Sequence, residues 1–346
     1  MVARLLIIDD SATMRAIIRE AVAHDPRIRL VAEAADPIEA RDKIRKHSPD
    51  VLTLDIEMPR MDGLSFLDRL MRLRPLPVVM ISGDSPRGSS AAIEALARGA
   101  VDCIGKPDKS CRRPFDGLGD RILAAARAQV RVRDPNLKTV PSFSTTRFRW
   151  NGRYVLIGAS TGGVEALEIL LSGIPADGPP IVISQHMPET MLERFATRLD
   201  ARIAPRMRIA REGELILPGN VYLAPGGGDD LVIGAGTPPH CRLRKAELSH
   251  GHSPSVEAMF ASAFHMANDI VAVMLSGMGR DGALAMAELR RSGARCLAQD
   301  AASSVIFGMP GAVLSSGAAE AAVPINRMSQ AILELTGSVS GEMLPL

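Results

Sequence analysis

Val155-Leu156-Ile157-Gly158-Ala159-Ser160-Thr161-Gly162-Gly163 is the stretch that decides the fold of the second half of the chain. Three consecutive apolar residues read as a buried strand, and the glycines around a short polar turn let the backbone swing straight into a helix. A hydroxyl at Ser160 then sits at the carboxyl end of a strand, on the kind of turn that presents a serine nucleophile. The same turn also suits a cradled phosphate or dinucleotide, so this motif alone leaves two chemistries open.

Outward from this stretch, short apolar runs alternate with helical patterns. In the first half the runs are Leu5 to Ile8, Leu30-Val31, Val51 to Leu54, Val78 to Ile81 and Val101 to Ile104, and Met14, Ile17, Ile18, Ala21 and Val22 follow the first of them at helical spacing. Five strands separated by helices predict a doubly wound, five-stranded parallel sheet over residues 1–132. From Asp134 to Trp150 the periodicity lapses while Pro135, Pro141, Ser142, Ser144, Thr145 and Thr146 accumulate, which reads as a linker over 133–150. Val155 to Ile157, Ile181 to Ile183, Val221 to Leu223 and Ile270 to Leu275 then predict a second, larger α/β domain over 151–337 with a mostly parallel sheet, followed by a frayed tail at 338–346.

At 346 residues and 46% hydrophobic side chains the chain can bury two cores. Lysine and arginine (41) nearly balance aspartate and glutamate (39), a net charge of +2 that argues against a nucleic-acid or membrane surface. Cys103, Cys111, Cys241 and Cys296 show no metal-ligand spacing and fit unpaired thiols in a reducing, cytoplasmic compartment. Arg121, Arg127, Arg131 and Arg133 read as a solvated helix face.

Asp9, Asp10, Asp55 and Lys106 all follow strand runs, and in a parallel sheet such positions line one crevice. Two carboxylates about 4 Å apart repel by about 4 kcal/mol at an effective dielectric of 20, so three together call for a cation; an all-oxygen set suits Mg²⁺. Asp55, central in the strand order, is the expected phosphoryl acceptor, with Lys106 neutralising charge on the transferred oxygens. In the second half Ser160 needs a base and an orienting group. Of the seven histidines His186 is best placed, directly after the Ile181 run, and Asp281 follows the Val271 run through a glycine turn where the Met278 amide is a candidate oxyanion donor. The order Ser, His, Asp differs from those of the standard hydrolase folds.

Asp9-Asp10, Asp55 followed by Met58-Pro59-Arg60-Met61-Asp62-Gly63, Ser82, and Lys106-Pro107 resemble a response-regulator receiver domain. That resemblance implies phosphorylation of Asp55, Mg²⁺ held by Asp9, Asp10 and Asp55, and phosphoryl oxygens sensed by Ser82 and Lys106. Cys103 stands where such domains usually carry an aromatic switch residue. Gly158 to Gly163, Gln185-His186-Met187-Pro188, Pro254-Ser255-Val256, Gly277 to Gly282 and Phe307-Gly308-Met309-Pro310, taken with the receiver and linker ahead of them, resemble the chemotaxis receptor glutamate methylesterase family, CheB, over nearly the whole chain.

This second resemblance implies hydrolysis of glutamate γ-methyl esters, and deamidation of glutamines, on the cytoplasmic helices of chemoreceptors. Ser160 would be the nucleophile, His186 the base and Asp281 its orienter, with Thr161, Met278 and His252 lining the site and no cofactor in the catalytic domain. A chemotaxis histidine kinase would supply the phosphoryl group to a monomeric, cytoplasmic protein that binds no nucleic acid and is not inserted in the membrane. Arg280 stands where an asparagine is usual, and Gly226-Gly227-Gly228-Asp229-Asp230 lacks a usual histidine. Two rivals follow from the residues alone: a receiver joined to a DNA-binding module, which the long, strand-rich second half disfavours, and an interaction module whose glycine loops hold a nucleotide.

Overall fold

The computed structural model describes residues 2–58, 61–83, 86–107, 115, 117–130, 148–246 and 252–339. Pro59, Arg60, Cys111, Arg131, Arg133, residues 133–147 of the expected linker and residues 340–346 of the expected tail lie outside the described residues. The chain divides into two units between residues 137 and 138.

In the first unit strands β1 (Ala3–Ile8), β2 (Ile28–Ala34), β3 (Val51–Asp55), β4 (Val78–Ser82) and β5 (Asp102–Gly105) alternate with helices α1 (Ala12–Ala23), α2 (Pro37–His47), α3 (Gly63–Leu73), α4 (Pro86–Ala97) and α5 (Leu118–Ala126). The sheet order is β2-β1-β3-β4-β5 and every pairing is parallel, as expected. β3 and β4 are buried at every position, which is why they read as unbroken apolar runs rather than alternating ones. Polar side chains set the helix starts: Ser11 accepts the Met14 amide, Asp36 those of Ile38 and Glu39, and Asp62 that of Ser65. Arg121 departs from the solvated-face reading. Its guanidinium forks onto Asp102 at 2.6 and 2.7 Å and also donates to the Cys103 carbonyl, tying α5 to the end of the sheet.

The second unit adds strands β6 (Phe148–Trp150), β7 (Tyr154–Ala159), β8 (Ile181–Gln185), β9 (Arg206–Ile209), β10 (Asn220–Leu223), β11 (Asp229–Gly234), β12 (His240–Lys245), β13 (Ile270–Met274), β14 (Arg295–Gln299), β15 (Ala321–Val323) and β16 (Gly337–Val339). Its helices are α6 (Gly163–Ser172), α7 (Glu189–Asp200), α8 (Val256–Ser262), α9 (Ala283–Arg291), α10 (Met309–Ser315) and α11 (Ile325–Thr336). Seven strands form a sheet in the order β15-β14-β13-β7-β8-β10-β9, with all pairings parallel. Leu156, Val182, Tyr222 and Ala272 of this sheet share one core with Met259 and Phe260 of α8 and Met286 and Leu289 of α9.

Two antiparallel pairs complete the unit, and one corrects its expected edges. Phe148 to Trp150, assigned to the linker, pairs with Gly337 to Val339, the last of which were assigned to the frayed tail. Both segments are only three residues long, and Trp150 earns its position through packing: it meets Tyr154 edge to face and donates Nε1–H to the Arg153 carbonyl at 2.6 Å. The ribbon β11–β12 escapes the sequence reading: β12 is mostly charged, with only Cys241 buried through His240-Cys241-Arg242-Leu243-Arg244-Lys245, and the apolar run of β11 is just Leu231-Val232-Ile233. Cys103, Cys241 and Cys296 are buried and unpaired. No helix among the described residues is long and apolar enough to cross a membrane.

Tyr222, fully buried on β10, uses its hydroxyl twice: it donates to the Leu215 carbonyl at 2.8 Å and accepts the Leu217 amide at 3.1 Å. Tyr222→Phe keeps the ring but strands both backbone groups. The expected loss is about 1–3 kcal/mol of second-unit stability, read as a lower urea midpoint with unchanged slope.

Candidate functional site

β7 has β13 on one side and β8 on the other, so the chain winds away from it in both directions and leaves a crevice at the carboxyl ends of these strands. Ser160 directly follows β7, His186 directly follows β8, and Asp281 closes the turn after β13. Backbone bonds hold these ends in register: the His186 amide donates to the Ala159 carbonyl and the Ser160 amide to the Ser276 carbonyl, each at 3.0 Å.

His186 Nε2 lies 2.8 Å from Asp281 Oδ2, with the two side chains only 9% and 7% exposed. The same carboxylate takes the Val256 amide at 2.7 Å and the Glu257 amide at 3.1 Å, so it also caps α8. Burial alone would raise the Asp281 pKa, but the hydrogen bond and charge of His186 and the two amides outweigh it, and the carboxyl is held below its ordinary range. An ionised Asp281 calls for a proton on Nε2, so that when the ring is neutral its lone pair is on Nδ1. Nδ1 is buried without a hydrogen-bond partner. His252, exposed on the segment before α8, stacks on the His186 ring at 4.3 Å and 20°.

The structure thus joins His186 to Asp281 directly and sets Ser160 at the neighbouring strand end. Among the described residues Ser160 Oγ makes no hydrogen bond. The turn that carries it is clamped from below by residues the sequence reading missed. Buried Ser276 donates Oγ–H to the Thr161 carbonyl at 2.8 Å and accepts the Ile306 amide at 3.0 Å, Gln299 accepts the Ser276 amide at 2.8 Å, and Gln185 Nε2 donates to the Ser160 carbonyl at 2.9 Å. Their only sequence signal is position, each lying at or just past the end of a strand.

Gly162 has φ +80°, and a Cβ on Gly277 would stand 2.9 Å from that of Ser160 and 2.3 Å from Met309 Sδ, so glycine is required at both. The amides of Thr161 and Met278, on the two turns that meet here, donate to no described residue, which leaves them available to an incoming oxyanion.

The first unit builds a second crevice on the same plan. Carboxylate oxygens of Asp9, Asp10 and Asp55 lie within 4.8 Å of one another, and Lys106 Nζ sits 2.8 Å from Asp55 Oδ2. Asp9 accepts the Ser11 amide through Oδ1, while its buried Oδ2 has no partner. Burial first, then the Asp55 charge, pushes the Asp9 carboxyl up to about 6. Asp55 is also raised, chiefly by burial and against the pull of Lys106. Three convergent carboxylates with an orphaned oxygen fit a hard, oxygen-seeking divalent cation. Ser82 is buried at the end of β4, and Cys103 is buried on β5 with its thiol pushed up to about 12 by burial, an inert group.

Residues 155–332 match the CheB methylesterase family and residues 5–111 the response regulator receiver domain family. A Rhizobium johnstonii protein named protein-glutamate methylesterase/protein-glutamine glutaminase 1 is 44% identical over 337 residues, 97% of each chain. A Bordetella bronchiseptica protein-glutamate methylesterase/protein-glutamine glutaminase is 45% identical over 343 residues, 96% of this chain and 97% of its own. The crystal structure of the Thermotoga maritima CheB methylesterase catalytic domain is similar at a TM-score of 0.52 and 32% identity, covering 54% of this chain and 99% of that one.

A carboxyl raised from 3.8 to about 6 binds its proton more tightly in the folded unit than in the unfolded chain, so the unit loses stability as pH rises through that window. A divalent cation competes with that proton. Added Mg²⁺ should therefore raise the melting temperature of the first unit clearly at pH 7.5 and little at about pH 5. Asp9→Asn should raise it at pH 7.5 in EDTA and remove most of the Mg²⁺ response; differential scanning calorimetry reads both.

Proposed function

The chain belongs to the CheB methylesterase family, and we propose on that footing that it is a phosphorylation-activated serine hydrolase of chemoreceptors. It releases methanol from glutamate γ-methyl esters and ammonia from glutamine side chains on receptor cytoplasmic helices. The observation that carries this reading is the buried His186–Asp281 pair at the strand-order reversal beside Ser160.

In the proposed reaction Ser160 Oγ attacks the ester carbonyl while His186 Nδ1 accepts its proton, and the imidazolium keeps its Nε2–H on ionised Asp281. The amides of Thr161 and Met278 donate to the oxygen as it gains negative charge. His186 returns the proton to the departing methoxide, which leaves as methanol and gives an acyl-enzyme. Water then attacks under the same base, freeing the glutamate and restoring Ser160. An amide substrate follows the same course with ammonia as the leaving group. The chemistry needs no cofactor in this unit.

In the receiver, Asp55 is the phosphoryl acceptor, and a chemotaxis histidine kinase the donor. Asp9, Asp10 and Asp55 would hold Mg²⁺, which when bound neutralises charge on the phosphoryl oxygens. Lys106 gives up its bond to the free Asp55 carboxylate and turns to the phosphoryl oxygens together with Ser82. The unmodified receiver restrains the catalytic unit, and the added charge on Asp55 shifts that equilibrium toward the active state.

Methanol release from methylated receptor membranes tests this reading. Ser160→Ala and His186→Ala should each lose turnover on the order of 10⁶-fold, and Asp281→Asn less, on the order of 10⁴-fold. A small acyl-phosphate donor should accelerate the wild-type chain and leave Asp55→Asn at its basal rate. Full activity in Ser160→Ala would remove the nucleophile assignment.

A further inference from the structure

Arg280 sits inside the catalytic turn, two residues after Met278 and directly before Asp281. The turn is fixed on both sides by glycines at positive φ, Gly279 at +84° and Gly282 at +83°, and the Arg280 carbonyl accepts the Ala283 amide at 3.0 Å as α9 begins. Its side chain is exposed and, among the described residues, enters no ion pair or hydrogen bond. The nearest carboxylate in sequence cannot engage it on favourable terms, because Asp281 already serves His186 and the amides of Val256 and Glu257. A guanidinium is thus held unpaired at the rim of the crevice.

The Glu257 carboxylate beside the turn is taken up by the amides of Gly282, Leu284 and Ala285, and two large apolar side chains are exposed beside the same turn and on the helix it starts. Leu284, one helical turn on, is 80% exposed, and Phe307, bridged to Gly277 of the same turn, is 40% exposed. These belong to the few large hydrophobic side chains exposed among the described residues. A turn that exposes a cation together with two apolar side chains is complementary to a surface that carries a carboxylate among apolar residues. The scissile ester itself is neutral and gives the guanidinium no ion pair.

Resting on the esterase reading above, we propose that Arg280 is a specificity-determining residue that binds a carboxylate of the protein substrate about one helical turn from the scissile ester. The consequence is an order of reaction. A glutamate freed by one turnover becomes the anchor that favours hydrolysis of its esterified neighbour, whereas an ester among neutral or basic neighbours is handled more slowly. Arginine suits the task because its planar fork meets a carboxylate with two parallel bonds.

The test uses the full chain, activated with an acyl-phosphate donor, and two helical peptides. Each carries one glutamate γ-methyl ester, with glutamate four residues to either side in one peptide and lysine in the other. The wild type should favour the glutamate peptide by about two- to fivefold in kcat/KM, the size of an exposed ion pair, and the preference should shrink at high salt. Arg280→Glu should reverse the preference and Arg280→Asn bring it near parity. A reversal can come only from a folded, active variant. Equal rates for the two peptides with the wild type, or a glutamate preference retained in Arg280→Glu or in Arg280→Asn, would overturn the proposal while leaving the esterase reading intact. Absence of methanol from both peptides and from methylated receptor membranes would overturn the esterase reading, and this proposal with it.

Discussion

The second unit depends on one carboxylate. Asp281 is nearly buried, and an ionised group in that position is tolerable only if donors surround it. The donors come from two separate elements, the His186 ring after β8 and the first amides of α8, while Asp281 itself hangs from the turn after β13. Removing the charge would therefore loosen a helix start and free the His186 ring at the same time. A helix cap and an orienting acid are often weighed as alternatives for such a residue. Here they are one arrangement, and the capping amides help to hold the acid ionised for the histidine.

The two units apply one topology to opposite electrostatics. Each is a parallel sheet whose strand order reverses, with functional side chains beyond the strand ends at the reversal. In the second unit the acid is over-supplied with donors and its affinity for protons falls. In the first the carboxylates outnumber their partners, so Asp9 and Asp55 are both raised and one buried oxygen has no partner. The first arrangement suits a site that holds one geometry through many turnovers. The second leaves repulsion in the folded state, and any cation or phosphoryl group that relieves it shifts the unit's equilibrium, as a switch requires.

What was legible in the sequence follows from how strands are buried. β1, β3, β4, β7, β8 and β13 lie inside their sheets and appear as continuous apolar runs, and most of the assigned site residues stand at the ends of these strands or in the turns after them, whereas Lys106 follows the edge strand β5 and His252 lies ahead of α8. β14 was missed because arginine and glutamine bracket Cys296-Leu297-Ala298, β15 because it is three residues long, and β6 and β16 because only their mutual pairing defines them. At the site, His186 and Asp281 announce themselves by residue type and place. Ser276, Gln185 and Gln299 do not: a buried serine or glutamine has no periodic signature, and its role appears only when the carbonyl it clamps is known.

The missing bond between Ser160 and His186 is a consequence of how the parts are fixed. Building the His–Asp pair needs two side chains from distant strands, a desolvated charge and a helix N-terminus, so it is assembled during folding. A serine hydroxyl needs only rotation about χ1, among staggered wells of similar energy, to turn from solvent toward a base. What folding does have to secure is the position of its Cα, and that is where the structure concentrates its bonds: Ser160 N to Ser276, Ser160 O to Gln185 and to the Gly163 amide. Nδ1 of His186 keeps its lone pair unclaimed by protein donors. In the proposed reaction the rigid requirement thus falls on the backbone that holds Ser160, and the adaptable one on the torsion of its hydroxyl.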